Sequence, residues 1–139
     1  MSANSTSPGP CPCGRTDQRA RPLQYTQCCG RYLEDFAGTP APDAESLMRS
    51  RYTAFVREQA DYLLATWHAG SRPASLALDS GLKWLGLELR REAQADAAHA
   101  VVEFVARHRA PGGRAVRLHE TSRFVREEGR WYYLDGDLH

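Results

Sequence analysis

Long hydrophobic runs are missing from this chain: no stretch approaches the roughly 20 apolar residues that cross a bilayer as a helix. The first ten residues, MSANSTSPGP, have neither a basic start nor an apolar stretch, so no secretory signal is read there. Charge of one sign is scarce too. Eighteen Lys and Arg face 17 Asp and Glu, and the net charge of +1 removes the global electrostatic case for binding nucleic acid or anionic lipid. Cysteine is limited to four residues, all between positions 11 and 30, and no Cys-x-x-Cys redox spacing occurs. No internal repeat is visible. These absences point to a cytoplasmic protein with no membrane role, in a compartment where thiols stay reduced.

The residues that are present suffice for one real core. Apolar residues make up 42% of 139 positions, enough for one ordinary domain plus a small appendage without cross-links. Residues 1–10 are small and polar with two prolines, and read as a disordered tail. Residues 11–37 carry the cysteines. In GTPAPD, residues 38–43, two prolines forbid helix and mark a linker, and Asp43 stands ready to cap the next helix. The main domain is expected over 44–139.

Within that domain the hydrophobic period changes once. DAESLMRSRYTAFVREQ reads as a helix with Met48, Tyr52, Phe55 and Val56 on one face and Arg49 and Arg51 on its shoulders. ADYLLATWH reads as a second helix, with Asp61 and His68 flanking a stripe of Leu63, Leu64 and Trp67. After AGSRP the period falls to two. LKWLGLELR is expected to bury Leu85, Leu87 and Leu89. AHAVVEFVARHRA is a second strand, RAVRLHETSRFVRE a third with Val116, Leu118 and Phe124 on one face, and WYYLDGDL a fourth. Short turns between consecutive strands imply an antiparallel meander covered on one face by helices, an α+β domain.

The four cysteines, Cys11, Cys13, Cys28 and Cys29, suit zinc, because soft sulfur ligands in a tetrahedron satisfy a d¹⁰ ion. A disulfide or a redox thiol are the alternatives; the reducing compartment and the missing redox spacing weigh against them. Four protein sulfurs leave no open position for water, so such a zinc site is a structural clip. Arg15, Arg19, Arg21 and Arg31 lie close enough in sequence to offset its negative charge.

The phrases CPCG, QCC, LMRSRYTAF, DYL…TWH and GRWYYLDG occur in an order that resembles the YchJ-like family of uncharacterised bacterial proteins. The resemblance runs from Cys11 to about Gly136. It implies a SEC-C zinc-binding motif at the N-terminus, with the four cysteines as ligands, followed by an NTF2-like domain: a cone of curved sheet around a long helix, with a cavity at its open end. The SEC-C motif also ends the SecA translocation motor, where it binds zinc and helps contact a chaperone partner. This chain departs from the motif in carrying Arg15-Thr16 after the first cysteine pair and a longer loop before the second.

Three functions are expected, one of them a structural or oligomeric role in which the sheet pairs into a homodimer. The first is an adaptor that uses the zinc knuckle to engage a protein or ribonucleoprotein. The second is a small-molecule enzyme in which His68 acts as base, oriented by Asp61 or Glu120. Glu120 is also expected to pair with Arg51 or Arg49, and these residues, with Trp67 and His68, are the candidate ligand contacts. Asp135 and Asp137 around Gly136 are read as turn residues, and the histidines show no spacing that marks a second metal site.

Overall fold

The computed structural model describes residues 9–139. The tail expected over residues 1–10 therefore lies outside the described residues as far as position 8. Residues 9 and 10 are tied down: Pro10 bridges Gln24, and the Gly9 carbonyl accepts from Tyr25 N at 3.0 Å.

A 3-10 turn, Tyr25–Gln27, and α1, Gly30–Leu33, come after the first cysteine pair. Two further helices, α2 (Ala44–Val56) and α3 (Ala60–Ala65), precede β1 (Lys83–Asp96), β2 (His99–Arg109), β3 (Val116–Glu127) and β4 (Arg130–Leu138). The strands form one antiparallel sheet in the order β1-β2-β3-β4, the expected meander. Strands β3 and β4 are joined by Glu128-Gly129, where both residues have positive φ, 51° and 79°, as a two-residue hairpin turn demands.

Helix α2 begins where Asp43 accepts a hydrogen bond from Ser46 N at 2.7 Å, a side-chain N-cap. Asp43→Ala is expected to cost about 1 kcal/mol, read as a lowered urea midpoint at unchanged slope. The helix is buried on more than the one face its period implies. Leu47, Met48 and Tyr52 are buried, but so are Ser50, Arg51 and Thr53. The reason is two-sided packing: the sheet covers one side of α2 and the cysteine-bearing segment covers another, in one continuous core. Arg51 is thus enclosed, at 5% exposure, and does not sit on an outer shoulder.

Three local expectations are corrected. The second helix stops at Ala65 because the chain leaves it to pair with β4: His68 N donates to the Tyr133 carbonyl and Tyr133 N to the Thr66 carbonyl, both at 2.8 Å. In β1 a bulge between Trp84 and Gly86, with Gly86 at φ 144°, shifts the alternation, so Leu85 is exposed while Trp84, Leu87 and Leu89 pack on the core. Asp135 and Asp137 belong to β4 and not to a turn; Arg123 on β3 reaches across and pairs with both.

Candidate metal centre and cavity

The cysteine segment is a small hairpin closed onto a helix. Cys11 N donates to the Leu23 carbonyl at 2.8 Å, Leu23 N to the Arg15 carbonyl at 3.0 Å, and Asp17 N to the Arg21 carbonyl at 2.8 Å, with Thr16 bridging Pro22. Asp17 closes the tip by accepting from the Arg19 and Arg21 amides. The residues that lengthen this loop are therefore an ordered hairpin tip. Gly14, at φ 78°, turns the chain after the first pair and donates to the Cys11 carbonyl. Cys28 and Cys29 lead into α1, whose first amides at Arg31 and Tyr32 donate back to their carbonyls.

These turns bring the four sulfurs together. All lie within 4.8 Å of one another, and Cys13 Sγ is 3.6 Å from Cys28 Sγ. A tetrahedron with zinc–sulfur bonds of about 2.3 Å has edges of about 3.8 Å, so the donor set fits such an ion in both chemistry and spacing. All four are free cysteines and buried, Cys13 at 0% exposure. Their ionisation is in conflict. Hydrogen bonds from Cys13, then Cys28 and Cys29, drive the Cys11 thiol far below its usual range. Hydrogen bonds to Cys11, then Cys13 and Cys28, together with burial, push Cys29 far above it. Four thiolates packed this closely repel one another, and a divalent cation at their centre removes that conflict.

The arginines nearest the cluster are not the expected set. Arg49, from α2, donates to the Cys13 carbonyl at 3.0 Å, and Arg31 Nε donates to the Cys28 carbonyl at 2.9 Å. Arg15 turns instead to Ser46 and Glu45, and Arg21 pairs with Asp17. Arg49 also pairs with Glu45 at 2.8 Å, so it serves the knuckle and is not Glu120's partner. Gly30 is required at its position: a Cβ there would stand 2.6 Å from the Tyr25 carbonyl oxygen and 2.8 Å from its ring. Gly30→Ala is expected to cost about 1–3 kcal/mol through overpacking and to loosen the second cysteine pair, seen as a lower melting temperature and faster metal loss to a chelator.

A second feature lies between α2 and the sheet. Here a cavity of about 220 Å³ is lined on the helix side by Arg51, Tyr52 and Phe55 and on the sheet side by Trp84, Phe104, Leu118, Glu120 and Tyr133. Arg51 and Glu120 both face it, as their placement in sequence implies, but they form no ion pair. Arg51 Nη1 donates to the Leu63 carbonyl at 2.8 Å and to Thr66 Oγ1 at 2.7 Å. Its guanidinium lies over the Tyr133 ring at 4.5 Å and the Trp67 ring at 5.2 Å. Glu120 Oε2 accepts from Ser122 Oγ and, at 3.4 Å, from the Tyr133 hydroxyl. Tyr133 thus stands between the two charges. Burial lowers the Arg51 pKa to about 10, partly opposed by Tyr133, Tyr62 and Glu120, so the group stays cationic at neutral pH. Burial, then the Glu120 charge, pushes Tyr133 up to about 12.

The structure separates the residues offered as an acid–base set. His68 does not line the cavity; its Nε2 bonds Glu127 Oε2 at 2.7 Å, and its Nδ1 accepts from Gly70 N, because the chain has already turned to run beside β4. Asp61 lines a different groove, beside Leu33 and Phe36. Trp67 does line the cavity, and its Nε1 is buried without a hydrogen-bond acceptor among the described residues. Sequence reasoning missed Tyr133 as the link between Arg51 and Glu120. Its only signal was the aromatic run at 131–133, and a register shift between Arg123 and Phe124 decides which ring faces inward. It also missed a cross-strand group on the sheet. Glu103, His119 and His139 place one ligand atom each within 4.8 Å, drawn from β2, β3 and the residue after β4.

Residues 43–136 match the family described as "YchJ, middle NTF2-like domain". The chain is 72% identical over 127 residues to a UPF0225 protein of a Polaromonas species, covering 91% of each chain. It is 55% identical to a UPF0225 protein of Bordetella pertussis over 99% of both. Among solved structures it is similar to a SEC-C motif containing protein from Rhodopseudomonas palustris, at a TM-score of 0.77 and 30% identity over 92% of this chain and 97% of that one. It is also similar to a SEC-C motif containing protein from Psychrobacter arcticus, at 0.76 and 31% over 93% of this chain and 82% of that one.

Proposed function

The chain belongs to the UPF0225, or YchJ-like, family, and from that premise we propose that it is a zinc-clipped adaptor: a SEC-C-like knuckle carried on an NTF2-like cone, engaging a protein or ribonucleoprotein partner. The observation that carries this reading is the closed cluster itself. Four buried sulfurs with spacings suited to a tetrahedral ion leave no ligand position for substrate, so the metal's work is to hold shape.

The shape it holds is the hairpin whose tip, residues 17–21, projects Arg19 and Arg21. Both are exposed, Arg21 while paired with Asp17, whereas Arg15 and Arg49 are drawn into contacts with α2 and the first cysteine pair. A short cationic tip on a rigid base suits an acidic protein surface or phosphate backbone. No helix among the described residues is long and apolar enough to cross a membrane. The enzyme alternative loses support from the placement of His68 against Glu127, outside the cavity.

The test uses the intact, zinc-loaded protein as bait. Cysteine variants are poor probes, because those residues are part of the core. The double variant Arg19→Ser and Arg21→Ser is expected to melt like the parent and to lose its partners in a pull-down, with sizing chromatography reporting whether the chain pairs with itself. Retention of the same partners by this variant would count against the adaptor reading, as would less than one equivalent of zinc in the reduced protein.

A further inference from the structure

We propose that the outer face of the sheet holds a second metal site, in which Glu103, His119 and His139 bind one divalent transition-metal ion of the zinc class and leave a coordination position to solvent. The site shares no residue with the cysteine cluster, so its failure and that of the adaptor reading are distinguishable.

Strand register brings the three residues together. Glu103 on β2 and His119 on β3 alternate with Phe104 and Leu118, which line the cavity under α2, so both belong to the opposite face. Val105 pairs with His119 and Thr121 with Glu103, which sets Glu103 diagonally beside His119. The ladder between β3 and β4 runs one residue past the Glu120–Leu138 pair. His139 N donates to the His119 carbonyl at 2.9 Å, which holds His139 directly across from His119. One donor atom from each of the three residues lies within 4.8 Å of the others.

His119 Nε2 bonds Glu103 Oε2 at 2.7 Å, and that contact alone would be an ordinary surface pair. A second imidazole changes it. The His139 ring stacks on the His119 ring, with centroids 4.1 Å apart and planes at 14°. Two charged rings at that distance repel each other. Two neutral rings instead bring nitrogen lone pairs beside an anionic oxygen, the donor set that suits zinc, nickel and copper. Bonds of about 2.0–2.2 Å in a tetrahedron space the donors about 3.4 Å apart. The 2.7 Å contact lengthens to that spacing and the longer separations close by side-chain rotation, since Glu103 and His119 are partly exposed and His139 is exposed. A hydrogen bond of 2.7 Å between Thr121 Oγ1 and His139 Nε2 orients that ring, as the outer contacts of metal ligands do. Of the charges alongside, Arg91 lies 3.9 Å from Glu103 Oε1, the oxygen His119 does not use, and Asp137 is held by Arg123. Calcium and magnesium need several oxygen ligands, and a single carboxylate serves them poorly. Three protein ligands leave a fourth position open, which the four-sulfur cluster does not.

Zinc itself is the probe, supplied to the full, reduced chain at stepped free concentrations while the histidine ring protons are followed by NMR. The expected result is one saturable equivalent that shifts the rings of His119 and His139. The ring of His99, which pairs with Asp96 at the start of β2, is expected to stay in place. His119→Gln and His139→Gln are each expected to weaken this equivalent at least about tenfold, because even groups that only orient a ligand are worth about 10–100-fold in affinity. Glu103→Gln tests the third ligand by the same readout. These positions face away from the core, so the three variants are expected to melt like the parent, and His99→Gln is expected to leave the equivalent unchanged. Shifts at His119 and His139 that do not saturate overturn the proposal. So does an equivalent that survives both His119→Gln and His139→Gln, or a shift of His99 over the same zinc range. Calcium binding as tight as zinc overturns the assignment of the metal class.

Discussion

Cys13→Ser, or a chelator that strips the metal proposed for the cysteine cluster, is expected to unfold the whole chain in one transition, with a loss of at least about 4 kcal/mol. An ion held by this cluster would be held by thiolates, and a serine hydroxyl neither ionises near neutral pH nor offers a soft donor. The expectation that the main domain falls with the knuckle comes from packing. Cys13 and Cys29 are 0% and 1% exposed and belong to the same hydrophobic cluster as Leu47, Leu63, Val102 and Phe124. Helix α2 is the shared wall: Cys11 Sγ lies 3.7 Å from Thr53 Oγ1, while Arg49 and Arg15 tie the knuckle to the helix. With total stabilities of about 5–15 kcal/mol for domains of this kind, a loss of that size removes much of the margin that keeps the chain folded. The measurement is a pair of thermal melts. Tryptophan fluorescence reports the main domain, since Trp67, Trp84 and Trp131 all lie beyond residue 43, and far-UV dichroism reports the whole chain. Two separated transitions after zinc removal would show that the knuckle folds independently and would sink the idea.

Phe124→Ala is expected to cost about 3–5 kcal/mol, the range for deleting a fully buried aromatic ring. Phe124 is 1% exposed on β3, opposite Ala100 of β2 and Tyr133 of β4. Its ring meets the Tyr133 ring edge-on, with centroids 5.9 Å apart and planes at 69°. The small neighbour at Ala100 leaves no long side chain able to fill the void, so collapse around it is limited. The same change frees Tyr133, which supports Arg51 on one side and Glu120 on the other, so the cavity wall is expected to loosen along with the loss of stability. Urea unfolding is the measurement. A change below about 1 kcal/mol with an unchanged slope would mean that the site relaxes far more than its neighbours allow.

Much of the fold was legible because burial leaves periodic marks. The meander, the α2 period and the Asp43 cap could be read from spacing alone, and all three are present. The cysteines were legible for a different reason: four thiols within 20 residues can meet through local turns, and Gly14 and Gly30 supply the backbone freedom and clearance those turns need. Where expectation and structure part, the cause is a contact between segments distant in the chain. The second helix ends early because β4, more than 60 residues on, offers hydrogen bonds to residues 66–68. Leu85 turns outward because the bulge in β1 is set by pairing with β2. His68 faces Glu127 for the same reason, since its neighbours are determined by where the chain docks on β4.

The sequence by itself determined the class of the protein: an α+β meander with a four-cysteine knuckle at one end, matched in order to one bacterial family. Tertiary structure alone decided what those parts do to one another. It made the knuckle part of the core, enclosed Arg51, and placed Tyr133 between Arg51 and Glu120. It also drew Glu103 of β2, His119 of β3 and His139, just past β4, together. The physical reason is range. Hydrophobic period and turn chemistry act over a few residues and are written locally, whereas a buried charge, an unpaired indole N–H or a cross-strand cluster exists only once distant segments exclude water between them.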